Sequence, residues 1–147
     1  MNTIRITKEF RFEGAHALIQ YDGACRHIHG HSYLLWVTVS GTPDTHLSNP
    51  KNGMVIDFTV LKALVNRLII EPFDHALLLR NDAPFANELK EHYQKVLALP
   101  FQPTCEHLCI HFARLLAPAI PEPAKLFSIR LHETSSSFAE WFATDNL

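Results

Sequence analysis

The sequence predicts an α+β fold, on three observations. Residues 3–12 alternate polar and apolar side chains, and residues 31–40 are rich in aromatic and β-branched types; both patterns belong to strands. Two later stretches, 58–68 and 104–116, carry apolar residues at helical spacing, as helices with one buried face do. Strand alternation then returns near the carboxyl end, in residues 127–131. Strands, helices and strands in succession make one α+β domain over 1–147.

Each element has its own local signature. In 3–12, Ile4, Ile6, Phe10 and Phe12 share one parity, while Thr3, Arg5, Thr7, Glu9 and Arg11 share the other. This is a half-buried strand with one wet face. His16 keeps the apolar parity if the strand runs on through Gly14. Residues 41–53 are turn chemistry without periodicity, hence an exposed connection. Leu61, Leu64, Val65 and Leu68 then mark the first helix, capped by Asp57 or Thr59 and expected to stop before Pro72. Residues 83–93 suggest a short helix and 95–99 a short strand. Thr104 is a good N-cap for the second main helix, whose stripe is Cys105, Leu108, Cys109, Phe112 and Leu116. The two cysteines on that stripe read as small buried hydrophobes. In the last strand Phe127, Ile129 and Leu131 share a face opposite Ser128, Arg130 and His132, and 137–143 returns as a closing strand.

Composition narrows the function classes. A chain of 147 residues with 47% hydrophobic and 19% charged side chains is an ordinary globular domain. Its net charge of −2 makes no case for nucleic acid or an anionic membrane as partner. No run is long enough to span a bilayer, and the alternating amino terminus lacks a signal-peptide core. Three cysteines without a disulfide-framework spacing suit a reducing cytoplasm.

The chemistry concentrates in residues 25–31, where Cys25 is followed by His27, His29 and His31. Residues two apart in an extended chain point the same way, so His29 and His31 aim two imidazoles at one point, with Gly30 adding no bulk between them. His16, from the neighbouring strand, makes a third. An HxH pair alone is a weak signal, but three neutral nitrogens with a fourth position open suit a catalytic zinc. Cys25 need not be a ligand. Asp74 and His75 form an adjacent pair that reads equally as a turn aspartate beside a chance histidine. Glu106 lies in a first helical turn, where the dipole alone explains a carboxylate. Glu133 falls on the apolar parity of the last strand; a buried carboxylate needs a partner or ligand, unless it lies past the strand end in solvent.

Six blocks in order, FRFEGAH, CRHIHGHSY, GMVIDF, FDHALL, PTCEHL and LHETSSSFAEW, resemble the 6-pyruvoyltetrahydropterin synthase and 6-carboxytetrahydropterin synthase family through most of the chain. The resemblance implies the tunnelling fold: an antiparallel sheet with two main helices packed on one face, subunits joining sheets into a β-barrel, commonly a homohexamer built as a dimer of trimers. It implies Zn2+ on His16, His29 and His31, a catalytic Cys25, and the pair Asp74 and His75 as its partners. It makes Glu133 a pterin anchor or charge relay, and it places Glu106 on the substrate as well. His107 departs from the asparagine usual after that glutamate, and the 82–101 loop diverges. Three residues separate Cys25 from His29, as in the bacterial carboxy-forming enzymes of queuosine synthesis; the animal pyruvoyl-forming enzymes have a longer spacing. A folate-linked branch carries glutamate in place of the cysteine, which this chain keeps.

The implied substrate is 7,8-dihydroneopterin triphosphate, and the implied products are 6-carboxy-5,6,7,8-tetrahydropterin, acetaldehyde and triphosphate. Zinc would acidify the side-chain hydroxyls, Cys25 would remove a proton with His75 handling a second transfer, and Glu133 would accept from the pterin's N–H groups. The alternatives are triphosphate elimination that stops at 6-pyruvoyltetrahydropterin, a zinc- and pterin-binding protein without catalysis, and an unrelated three-histidine hydrolase.

Overall fold

A computed structural model describes residues 1–147. Two long antiparallel strands form its spine, β1 (Ile4–His16) and β2 (His29–Gly41), paired without a break from Ile4 opposite Gly41 to His16 opposite His29. β5 (Lys125–Thr134) adds to the far side of β2, and β6 (Ser137–Phe142) closes that edge. The apolar parity read from 3–12 is the buried one: Phe10, Phe12 and His16 are buried, whereas Arg5, Glu9 and Arg11 are exposed. β1 does run through Gly14, so His16 sits on the inner face.

That face is covered by helices. α1 (Phe58–Val65) is capped by Asp57, whose carboxylate accepts from the Thr59 N–H at 2.8 Å. The helix continues as a π-helical turn (Asn66–Ile70) and a last turn, α2 (Glu71–Phe73). Pro72 therefore does not stop it, contrary to expectation. The π turn re-registers the hydrogen bonds and starts a fresh helical turn, and Pro72 falls at its beginning, where a missing N–H is tolerated. α4 (Cys105–Leu116) is capped by the Thr104 hydroxyl, and its whole predicted stripe is buried. One core joins these layers, with Phe12, Tyr33, Leu35, Leu61, Phe112 and Ile129 among its most buried members. Each such side chain removed from water is worth roughly 1.5–3 kcal/mol.

Three details differ from the sequence reading. The apolar run after His75 is a strand, β3 (Ala76–Arg80), parallel to the end of β1. After α3 (Ala86–His92), β4 (Val96–Leu99) pairs in parallel with β3. The sheet, in order β4-β3-β1-β2-β5-β6, is therefore mixed: antiparallel in its four long members and parallel at one edge. Phe127 does not share the face of Ile129 and Leu131. The β2–β5 register slips between Thr38 and Val39, and this bulge puts Leu126 in the core while the Phe127 ring lies under the Arg5 guanidinium at 3.9 Å. No helix is long and apolar enough to cross a membrane.

Candidate metal centre and cleft

The β1–β2 register builds the centre. His16 and His29 are directly paired, and Gly14 faces His31, so all three imidazoles project from one end of the spine on its inner side. Their ring centroids lie 4.5–5.0 Å apart, with planes steeply inclined to one another. His16 Nε2 stands 2.9 Å from His29 Nε2 and 3.2 Å from His31 Nε2. His16 is 1% exposed.

Second contacts fix which nitrogen faces inward. His16 Nδ1 lies 2.7 Å from the Pro103 carbonyl, and His29 Nδ1 lies 2.7 Å from the His27 carbonyl. A carbonyl oxygen only accepts, so each Nδ1 carries its proton and donates. Each Nε2 is then left with a lone pair directed at the other. Burial holds His16 below the ordinary histidine pKa, opposed by the Pro103 bond and reinforced by His29. Burial lowers His31 too, with the Glu133 charge acting the other way. Neutral rings with converging lone pairs repel unless a cation lies between them. The three donor atoms lie within 4.8 Å of one another; nitrogens around a tetrahedral zinc stand about 3.4 Å apart. The donor set fits a metal ion.

Glu133 borders this centre. Its Oε1 is 3.6 Å from both His16 Nε2 and His31 Nε2, and its side chain is 27% exposed. The carboxylate on the apolar parity thus has histidine neighbours, and it is not stranded in solvent. Cys25 sits in a short 3-10 turn (Ala24–Arg26), half-buried, with its carbonyl accepting from the Leu18 N–H at 2.9 Å. Its sulfur lies outside the group of converging histidine nitrogens. Glu106 is exposed in the first turn of α4. Cys105 and Cys109 are buried thiols, their pKa values pushed up by burial to about 11 and about 12. They are the inert hydrophobes the sequence suggested.

Asp74 and His75 are bonded to each other and to the end of β1. Asp74 Oδ1 accepts from the Glu13 N–H at 2.9 Å and lies 3.0 Å from His75 Nδ1. The His75 N–H donates to the Glu13 carbonyl at 2.6 Å. The dipeptide is thereby clamped onto both backbone groups of Glu13, three positions before His16. The clamp holds His75 at φ +59°, a left-handed conformation that costs a non-glycine residue about 1–2 kcal/mol. Retained strain of this kind gathers at functional sites. The Glu13 bond, first, and His75, after it, keep the Asp74 carboxyl below the usual carboxylate range.

His75 and His31 line one cleft of about 1040 Å3 together with Glu13, Gly30, Ser32 and Lys95. Ser32 Oγ donates to Glu13 Oε2 at 2.6 Å, and the Lys95 ammonium donates to the Asp74 carbonyl. Sequence reasoning missed Glu13, Lys95 and Pro103. The first two carried only a charge in unremarkable surroundings, and Pro103 acts through a backbone carbonyl, which no side-chain pattern announces.

The model of the family described as 6-pyruvoyl tetrahydropterin synthase matches residues 5–143. A 6-carboxy-5,6,7,8-tetrahydropterin synthase from Haemophilus influenzae is 39% identical over 93% of this chain and 97% of its own. A protein of the same name from Rickettsia bellii is 33% identical over 93% and 99%. Among solved structures, an uncharacterized protein from Wolinella succinogenes superposes with a TM-score of 0.81 at 24% identity, covering 97% of this chain and 99% of that one. The Caenorhabditis elegans 6-pyruvoyl tetrahydropterin synthase gives 0.71 at 21% identity over 97% of both. The two structures speak to the fold, which is that of the tunnelling-fold synthases. With almost the whole chain matched by the family model and relatives above 30% identity along nearly their full length, this chain belongs to the 6-pyruvoyl tetrahydropterin synthase family.

Proposed function

We propose that the chain is a zinc enzyme that converts 7,8-dihydroneopterin triphosphate to 6-carboxy-5,6,7,8-tetrahydropterin, with release of acetaldehyde and triphosphate. The carrying observation is the convergence of three imidazole Nε2 atoms beside Glu133, in a chain 39% identical to a protein of that name. His16, His29 and His31 would hold a zinc ion, which would supply Lewis acidity toward hydroxyl oxygens of the substrate side chain. Cys25 takes a proton from a side-chain carbon. His75, oriented through Nδ1 by Asp74, carries a second proton with its Nε2. Glu133 accepts from the N–H groups of the pterin, close enough to His16 and His31 to set the ring beside the imidazoles. Glu106 is the second pterin contact, offered from the first turn of α4. The three-residue spacing from Cys25 to His29 favours the carboxy-forming branch, hence a place in queuosine synthesis in the cytoplasm.

The working unit is a homo-oligomer, a hexamer made as a dimer of trimers. β4 and β6 are open sheet edges, a liability that association removes. Turnover of 7,8-dihydroneopterin triphosphate by the zinc-loaded protein, followed by mass spectrometry, tests the activity. The expected products are the 6-carboxy pterin and acetaldehyde. A 6-pyruvoyl product alone overturns the branch, and binding without turnover makes the chain a pterin-binding protein. A stable, active monomer in sedimentation refutes the assembly.

A further inference from the structure

The loop over residues 17–28 carries Cys25 and is bounded by two histidines of the metal centre, His16 and His29. Its start is held from outside by one side chain. Gln102 Nε2 donates to the Ile19 carbonyl at 2.7 Å, and Gln102 Oε1 accepts from the Ile19 N–H at 3.1 Å. A carboxamide thus satisfies both backbone groups of one loop residue, as a partner strand would. The adjacent Leu18 N–H donates across the loop to the Cys25 carbonyl at 2.9 Å. On the other side of Gln102, the Pro103 carbonyl accepts a hydrogen bond from His16 Nδ1 at 2.7 Å. Gln102 is itself fixed to the helix that follows, its carbonyl accepting from His107 Nδ1 at 2.9 Å and from the Thr104 N–H at 2.8 Å. At its far end the His27 carbonyl accepts from His29 Nδ1 at 2.7 Å; near its start the only other side-chain tie, Arg80 to Gln20 Oε1, is 3.5 Å long, at the limit of a hydrogen bond, and Arg80 is already engaged by Asp82 at 2.6 Å.

We propose that Gln102 is a positioning residue whose carboxamide sets the Cys25 loop against the metal-site histidines. Residues 102–103 form one rigid step: the side chain of the first places the loop that bears the base, and the carbonyl of the second orients a ligand. The proposal rests on the reading of Cys25 as the base and adds what holds that base in place. Gln102→Ala removes both bonds to Ile19 and leaves the Pro103 carbonyl untouched. Gln102→Glu has the same shape and still accepts from the Ile19 N–H, but offers the Ile19 carbonyl no donor.

Four readouts are measured on each variant: bound metal, hydrogen exchange of segment 17–20 by mass spectrometry, alkylation of Cys25 by iodoacetamide, and kcat with KM. Alkylation of the folded protein reports Cys25, because Cys105 and Cys109 are 8% and 1% exposed. For Gln102→Ala, metal content stays native, while segment exchange and Cys25 alkylation each speed up about tenfold or more. kcat falls by a similar factor and KM stays within about twofold. Gln102→Glu shifts the same way by less, and it carries the test if the alanine variant fails to fold. Native rates of Cys25 alkylation and a native kcat in either folded variant overturn the proposal. A native protein that does not turn the pterin triphosphate over overturns the functional reading instead; exchange and alkylation then still decide whether Gln102 sets the loop.

Discussion

Removing the Asp74 carboxylate should slow turnover much less than removing the His75 imidazole, and the two losses should not add. Asp74 Oδ1 serves His75 Nδ1 at 3.0 Å and the Glu13 N–H at 2.9 Å. A hydrogen bond to a charged group contributes about 1.5–3 kcal/mol. The His75 side chain is 76% exposed and that of Asp74 36%, so water competes and about 1–2 kcal/mol is the fairer figure. At 1.36 kcal/mol per factor of ten, Asp74→Ala loses about 5- to 30-fold in kcat. His75→Asn loses the proposed acid–base group, about 10²- to 10⁴-fold; asparagine is chosen because it tolerates the positive φ. The double variant should match His75→Asn within about threefold, since Asp74 acts through His75. Acetaldehyde release at saturating pterin triphosphate measures all three. The Asp74 pKa is depressed in the fold, so its ionised form is retained above about pH 4 and lost only as pH falls through the folded value. Assays near neutrality therefore compare like with like. A double variant slowed by the product of the single effects would refute the relay, because Asp74 would then act on something other than His75.

Metal analysis should find most of the ion gone from His29→Ala and native content in Cys25→Ala; loss in the cysteine variant would make Cys25 a ligand. Glu133→Gln should keep the metal but bind a pterin analogue more weakly by titration, by about 1–3 kcal/mol for a misplaced buried donor. Burial, and after it the Arg114 charge, lower the His111 pKa in the fold. The unfolded chain therefore takes up the proton first, and stability that is full above about pH 6.5 declines below it. His111→Gln should show a shallower loss of urea stability between about pH 6.5 and 5 than the native chain; equal slopes would argue that His111 is neutral to folding.

Local periodicity carried much of the fold. The alternation of β1, the Thr104 cap and the α4 stripe each follow from a few neighbouring side chains, and each stands in the structure where the sequence puts it. The missed features depend on contacts made elsewhere. β3 is only five residues long, and its parallel partners on both sides decide its state, which its own apolar run cannot do. The π turn before Pro72 and the bulge at Phe127 each shift a hydrogen-bond register by one place, and no residue type marks such a slip. At the candidate metal centre HxH was legible because it is a two-residue rule. The Pro103 carbonyl that orients His16 lies 87 positions away and is chemically the same as any other carbonyl. Glu133 was legible as a carboxylate on the wrong parity, but its position 3.6 Å from two histidines is a product of β5 packing beside β2.

Tyr33 tests how far that packing was built for the site. It is 1% exposed, stacked on Phe12 with centroids 4.8 Å apart and set edge-on to His31 at 5.6 Å. Its hydroxyl is buried without a protein partner. Burial, then the Glu133 charge, push its pKa well above the ordinary tyrosine value, so it stays a protonated donor. Leu34 pairs with His132, which brings Tyr33 and Glu133 together one step further along the two strands. A stranded buried hydroxyl costs about 1–3 kcal/mol, and Tyr33→Phe deletes it while keeping the ring and its stacking. If the hydroxyl serves nothing, the phenylalanine variant should be more stable by up to that amount in urea titrations at fixed metal content, with pterin affinity unchanged. A variant less stable by about 1 kcal/mol or more would refute this, because a bonded hydroxyl forfeits roughly that on removal. The hydroxyl would then have a partner, through water or directly, in the surroundings it shares with Glu133.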